Sequence, residues 1–158
     1  MATALKKCPL TRNFQGYSTD SASLLLAFGT SAISSLRTGY LQNTVSNHAY
    51  YAALDVGKLP IAKGIKIQKG DLVIRRLIEQ LMCYMEIDLK AFTATEGLTD
   101  SYFTPALKKL EPLMMDGLVL LKEGVLSIPE AAPQAVRLAC AAFDPHLSVS
   151  TKKHVQVA

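Results

Sequence analysis

The chain has 158 residues, of which 49% are hydrophobic, and its formal net charge is +4. A chain of this length and composition can bury a core, which excludes disorder throughout. No apolar run approaches the ~20 residues that span a bilayer, and residues 1–7 lack the apolar stretch of a secretory signal. The mild positive charge suits an anionic ligand, and it equally suits an ordinary basic surface.

Two segments near the amino terminus have compositions that are unusual for packing elements. Residues 12–19, RNFQGYST, place polar side chains around Gly16, which suits a bend that presents polar groups to a ligand. Residues 24–28 form an apolar run that predicts a strand, and this run passes into FGTSAIS at residues 28–34. The pattern favours a buried strand that ends in a ligand-facing loop, as in α/β barrels. A polar loop followed by ordinary packing is the alternative interpretation.

The middle of the chain predicts two helices, at residues 45–54 and 71–85. Asp71 stands at the N-cap position of the second helix. Arg75 and Arg76 lie off its apolar face, so they are predicted to be solvated or ion-paired, the alternative being contact with an anionic ligand. Apolar residues at spacings of three and four predict that this is a core helix; they are Ile74, Leu77, Ile78, Leu81, Met82 and Met85.

The last third predicts a helix, a hairpin and a final helix. Residues 102–114 carry an amphipathic pattern, and residues 118–121 and 125–128 flank a short turn as a hairpin would. A last helix is predicted from residue 129 or 130 to residue 143. Its inward side chains are expected to be Val136, Leu138, Ala139, Ala142 and Phe143. Helix, helix, hairpin and helix is the order of a winged-helix-like unit.

The nucleophilic and metal-binding residue types form no recognisable site. Cys8, Cys83 and Cys140 are far apart in sequence, so they are predicted to be inert thiols in a reducing compartment, and no metal ligand is assigned. The three histidines have no cysteine or carboxylate at the spacing of a zinc site. The chain also lacks a glycine-rich phosphate loop and a G-x-S-x-G motif, which excludes the usual nucleotide-binding and esterase signatures.

Seven short strings follow one another through nearly the whole chain. The most specific is RNFQGYST; the others are FGTSAIS, YLQN at 40–43, KGI at 63–65, IRR at 74–76 with LMC at 81–83, and DGLV at 116–119. In their order and spacing they resemble the carboxyl-terminal part of oxygen-independent coproporphyrinogen III oxidase, a family of radical S-adenosylmethionine enzymes. The chain departs from the family pattern at the last helix, where Ala132 and Pro133 replace a Gly-Arg pair.

The resemblance implies an α+β fold. Residues 1–44 would be the end of a radical S-adenosylmethionine α/β barrel with cofactor-facing loops, and residues 45–158 a mostly helical, winged-helix-like domain. Full-length members use S-adenosylmethionine and a 4Fe-4S cluster to convert coproporphyrinogen III to protoporphyrinogen IX by oxidative decarboxylation, in heme biosynthesis. By residue-to-residue match, Gln15 and Ile33 would contact a second S-adenosylmethionine. This chain lacks the C-x-x-x-C-x-x-C motif that holds the cluster, so it is predicted to be inactive by itself.

The enzyme interpretation predicts a cytoplasmic monomer with no nucleic-acid or membrane partner. No catalytic acid or base is assigned within this chain. The second hypothesis is a non-catalytic, winged-helix-like binding module for a protein partner or nucleic acid. The predicted wing at residues 122–124 carries one basic residue and no basic recognition helix is visible, which disfavours the nucleic-acid version.

Overall fold

The computed structural model describes residues 10–13, 16–20 and 22–147. The chain forms two compact units that divide between Leu72 and Val73. The domain boundary predicted between residues 44 and 45 falls inside the first unit. The division of the chain into barrel and carboxyl-terminal domains stays a prediction. Helices and antiparallel sheets occur together in the chain, which confirms the α+β class.

The first unit is built around a three-stranded antiparallel sheet. Ser46 begins its helix as an N-cap, with its Oγ accepting a hydrogen bond from the Ala49 N–H at 3.3 Å, so the helix predicted at 45–54 is confirmed. A hairpin pairs β1 (Thr11–Asn13) with β2 (Gly16–Ser18), and the sheet contains β3 (Ile33–Leu36), β4 (Gly39–Asn43) and, after helix α1 (Asn47–Asp55), β5 (Ile61–Lys66), in the order β3-β4-β5.

The strand predicted at residues 24–28 is wrong. Leu25 makes an isolated bridge with Ser35, through two backbone hydrogen bonds of 2.9 Å. The ladder goes no further because the next pairing position is taken by a side chain: the Ala27 N–H donates to the Ser34 Oγ at 3.0 Å. The apolar run is therefore an irregular segment, and Leu26 is 61% exposed.

The second unit alternates helices with a small sheet. Helix α2 (Lys69–Tyr84) begins before the division and continues into this unit, where β6 (Glu86–Asp88), α3 (Leu89–Glu96), α4 (Thr104–Met115), β7 (Leu120–Lys122), β8 (Val125–Ser127) and α5 (Ala135–Phe143) follow. The strands are antiparallel in the order β6-β8-β7. The predicted hairpin is confirmed as β7 and β8, and the helix predicted at 102–114 is confirmed as α4. Strand β6 and helix α3 were not predicted.

The second unit closes around one apolar core. The stripe predicted on α2 faces it, with Leu77 and Leu81 fully buried and Ile74, Ile78 and Met85 packed at its edge. Leu110 of α4 and Leu126 of β8 are also fully buried. Asp71 lies in the first turn of α2 rather than at its N-cap, and its carboxylate accepts from the Gln68 N–H at 2.8 Å.

The last helix differs from its prediction in two respects. It begins at Ala135, because the Ala132-Pro133 segment forms turns that precede it. Val136, Ala139 and Phe143 are buried as predicted, but Leu138 is 56% exposed and points away from the core. The helical period alone does not tell which edge of an apolar stripe reaches solvent.

The sheets of the described ranges are three open antiparallel ones, with no closed barrel among them. The assignment of the amino-terminal segment to the end of a barrel therefore stays a proposal. In the part of the chain that the structure describes, no helix has the length and apolarity needed to cross a bilayer.

Candidate functional site

The two residues implied by the resemblance have different outcomes. Ile33 lies at the first position of β3, where it pairs with Gln42 of β4, and its side chain is half-buried. Gln15 lies outside the described residues, between Asn13 and Gly16, which pair across the β1–β2 hairpin. The proximity of Gln15 to Ile33 therefore stays a prediction.

The hairpin of the RNFQGYST string is ordered by polar contacts. The guanidinium carbon of Arg12 lies 5.5 Å from the centre of the Tyr17 ring, a cation–π geometry. The Thr11 hydroxyl lies 3.1 Å from the Ser18 carbonyl oxygen and 3.0 Å from that of Asp20. These contacts join β1 to β2 and to the residues that follow β2.

Residues 28–32, which we call the 28–32 loop, lead directly into β3. Gly29 has φ of 100° and Ser31 has φ of 59°. A non-glycine residue with positive φ is uncommon and persists where surrounding structure fixes it. The loop is therefore held by contacts from outside itself.

Side chains of β4 supply part of that hold. The Asn43 amide nitrogen donates to the Gly29 carbonyl oxygen at 2.9 Å and to the Ala27 carbonyl oxygen at 3.4 Å. Asn43 is 9% exposed, so these hydrogen bonds satisfy a buried amide. The Gln42 amide nitrogen donates to the Ser31 carbonyl oxygen at 3.3 Å.

Further contacts come from the segment that follows β4. The Tyr50 hydroxyl of α1 accepts from the Gly29 N–H at 3.0 Å, and the Thr44 carbonyl accepts from the Ser31 N–H at 2.8 Å. These bonds hold the loop's main chain from one side. Phe28 remains 87% exposed. The main chain at the entrance to β3 is thus fixed, while the large apolar side chain of Phe28 beside it is exposed to solvent.

Local sequence patterns assign no role to Asn43 or Tyr50. Asn43 stands in the YLQN string, but nothing in the sequence shows that its side chain returns to a loop fourteen positions earlier. Tyr50 lies in a helix of weak amphipathic pattern. The pairing of β3 with β4 brings Asn43 to the 28–32 loop, and helix α1, which follows β4, brings Tyr50 there.

The cysteines do not form a cluster site in the described part of the chain. Cys83 and Cys140 are both buried in the second unit, as predicted, and Cys8 lies outside the described residues. No group of three or more histidine, cysteine or acidic side chains suited to a metal occurs within residues 10–13, 16–20 and 22–147. The residues present therefore do not fit an iron–sulfur cluster.

Arg76 of α2 forms an ion pair, as the sequence predicted. Its Nε donates to Glu96 Oε1 at 2.7 Å, and a second hydrogen bond joins the Arg76 Nη2 to Glu96 Oε2. The hydrogen bonds from Arg76 hold the pKa of Glu96 below its usual range, and those to Glu96 raise the pKa of Arg76. The pair lies at a cleft that Gln80 and Phe92 also line, and it leaves Arg76 engaged rather than open to an anion.

Comparison with known proteins finds curated relatives that match nearly the whole chain. No protein-family model matches the chain. The oxygen-independent coproporphyrinogen III oxidase of Bradyrhizobium diazoefficiens is 37% identical over 154 residues, which cover 98% of this chain and 34% of that protein. The protein of the same name from Synechocystis is 34% identical over 160 residues, with the same two shares. The chain matches the carboxyl-terminal part of oxygen-independent coproporphyrinogen III oxidases.

The structural comparison agrees. The solved structure of coproporphyrinogen III oxidase from Escherichia coli, described as a radical SAM enzyme, has a TM-score of 0.82 and 33% identity, and the match covers 92% of this chain and 34% of that one. The chain thus spans about a third of the length of the coproporphyrinogen III oxidases it matches. The resemblance carried by the seven strings is confirmed.

Proposed function

We propose that this chain is the carboxyl-terminal part of an oxygen-independent coproporphyrinogen III oxidase, an oxidoreductase of heme biosynthesis. The observation that carries the proposal is the match of nearly the whole chain, in sequence and in fold, to one third of such enzymes. The complete protein would act on coproporphyrinogen III and yield protoporphyrinogen IX. We further propose that it is a cytoplasmic monomer that binds neither nucleic acid nor membranes.

The complete enzyme requires groups that this chain does not supply. When bound, S-adenosylmethionine and a 4Fe-4S cluster supply the radical chemistry that begins oxidative decarboxylation of the substrate's propionate groups. The buried Cys83 and Cys140 do not match the cluster motif, so the cluster ligands belong to another part of the enzyme. We expect the isolated chain to be inactive for that reason.

The part of the site that we assign to this chain is the 28–32 loop with Ile33 at its end, together with Gln15. The Thr30 and Ser31 hydroxyls and the loop's backbone groups suit the polar atoms of a nucleoside. Ile33 suits an apolar face of the same ligand. The fixed main chain of the loop supports this assignment, because a binding site benefits from a backbone that is ordered before the ligand arrives.

We also propose a winged-helix-like architecture for the second unit. Its elements run helix, strand, helix, helix, hairpin and helix, and β6 completes a small sheet with the hairpin. The turn of that hairpin packs closely against α3. A Cβ added at Gly124 would lie 2.9 Å from the side chain of Lys90 in α3. A turn packed on its own unit favours a structural role over a free nucleic-acid-binding wing.

The proposal is tested by joining this chain to the amino-terminal two thirds of the Escherichia coli enzyme in place of the third that it matches. The chimaera should convert coproporphyrinogen III to protoporphyrinogen IX under anaerobic conditions. The amino-terminal part alone and this chain alone should not. A folded chimaera that binds its cluster but has no activity would overturn the proposed function, and so would a stable cluster on the isolated chain after treatment with iron and sulfide.

A further inference from the structure

We infer that Asn43 is a positioning residue, which fixes the 28–32 loop and thereby orients the entrance of β3 toward the ligand. The inference rests on the proposed function for its choice of ligand, S-adenosylmethionine. Asn43 itself is too buried to contact the ligand. It is 9% exposed, and its amide nitrogen donates to the Gly29 and Ala27 carbonyl oxygens. An asparagine amide carries two N–H donors, and these two carbonyls use both.

Both sides of Gly29 are held at once. Its carbonyl oxygen accepts from Asn43 and its N–H donates to the Tyr50 hydroxyl. Gly29 has φ of 100°, a backbone conformation that residues with a Cβ rarely adopt. Gly29, the residue with the most conformational freedom in the loop, is therefore bonded from outside the loop through both its N–H and its carbonyl oxygen.

An irregularity in the sheet occurs at the same position. The pairing of β4 with β5 shifts between Gln42 and Asn43, because Gln42 pairs with Lys63 and Asn43 pairs with Ile61, so the register passes over Ala62. Such bulges change the local twist and re-aim side chains, and they are frequent beside functional sites. Here the bulge coincides with the one buried amide of β4 that reaches the loop.

The loop's other bonds are weaker candidates for this role. Gln42 lies at the same end of β4, but it makes one bond of 3.3 Å from a partly exposed position. The Ser31 N–H bond to the Thr44 carbonyl is between backbone groups, which no side-chain substitution removes. Replacement of Asn43 would instead leave two carbonyl oxygens without their buried donor.

The first arm of the test measures loop order in the intact 158-residue chain. Hydrogen exchange of the Gly29 and Ser31 amides is compared among the native chain, Asn43→Ala and Asn47→Ala. Asn47 is the matched control, because it is an exposed asparagine at the start of α1. We expect Asn43→Ala to speed exchange of both amides about tenfold, and Asn47→Ala to leave them unchanged. Unchanged exchange in Asn43→Ala would overturn the inference.

The second arm measures ligand recognition in the chimaera described above. Since Asn43 does not touch the ligand, its replacement should raise the KM for S-adenosylmethionine about tenfold and leave kcat within about twofold. Faster exchange with an unchanged KM would overturn the link to the ligand. A chimaera that is inactive with the native sequence would defeat the proposed function, while the exchange arm would still decide whether Asn43 holds the loop.

Two more variants keep the test decisive if Asn43→Ala fails to fold. Tyr50→Phe removes only the hydroxyl that accepts from the Gly29 N–H, and Asn43→Asp keeps the size of the side chain while replacing its donors with an acceptor. Both should speed exchange at Gly29 and raise the same KM, with Tyr50→Phe giving the smaller change. If both leave exchange and KM at native values, the inference is wrong.

Discussion

The two units of the chain are stabilised in different ways. The clustered apolar core extends from Leu77 to Phe143, so in the described residues it belongs entirely to the second unit. In the first unit the buried polar residues are Ser35 and Asn43, and large apolar side chains such as Phe28 and Leu59 are exposed. Apolar burial dominates folding free energy, so the second unit has its own driving force and the first depends on hydrogen bonds and backbone geometry.

This contrast fits the proposed function. A monomer rarely leaves many large apolar side chains in water unless they meet another surface. In a complete coproporphyrinogen III oxidase, the other two thirds of the protein would be available to cover the first unit. The difference between the two units also predicts where substitutions should lower stability most.

The largest effect is expected in the core of the second unit. Leu81→Ala removes a fully buried side chain of α2 and should lower the free energy of unfolding by about 2–5 kcal/mol. Leu138→Ala, on an exposed position of α5, should lower it by less than about 1 kcal/mol. Urea denaturation followed by circular dichroism measures both. Equal losses would mean that the core has been assigned to the wrong helix faces.

An intermediate effect is expected in the sheet of the first unit. A Cβ at Gly39 would lie 2.2 Å from the backbone oxygen of Ile65, so Gly39→Ala should force β4 and β5 apart at a cost of about 1–3 kcal/mol. Gly70→Ala is the control, because a Cβ there meets no atom within 4 Å. Limited proteolysis between β4 and β5 should become faster only in Gly39→Ala. Equal protection of the two variants would contradict this close approach.

The smallest effect is expected at the exposed ion pair. Arg76 is 48% exposed, so solvent screens the pair and Glu96→Gln should change stability only slightly near neutral pH. Arg76 holds the pKa of Glu96 below its usual range, so the contribution is present above the unfolded-state pKa and disappears as pH falls through the folded-state pKa. The difference in unfolding free energy between the native chain and Glu96→Gln, measured against pH, should therefore vanish at acid pH. A difference that grows as the pH falls would mean that Arg76 does not lower the pKa of Glu96.

Helices were more predictable than sheets in this chain. The spacing of Leu77, Leu81 and their neighbours identified α2 and its buried face, because a helix repeats within four residues and its pattern is local. The apolar composition of the Leu25 segment predicts a strand, but a strand requires partners, and here the Ser34 hydroxyl interrupts the ladder. Strands β3, β4 and β5 lack a clear alternation, so the sequence does not predict them.

Residue patterns alone predicted the apolar stripe of α2, the β7–β8 hairpin, the burial of Cys83 and Cys140 and the family resemblance. Each of these depends on local spacing or on identity at matched positions. The tertiary structure alone decided that Asn43 and Tyr50 hold the 28–32 loop, that Arg76 pairs with Glu96, and that Leu138 faces solvent. These contacts join residues distant in sequence or depend on which side of an element is covered. Such facts follow from strand register and packing, which local residue patterns do not specify.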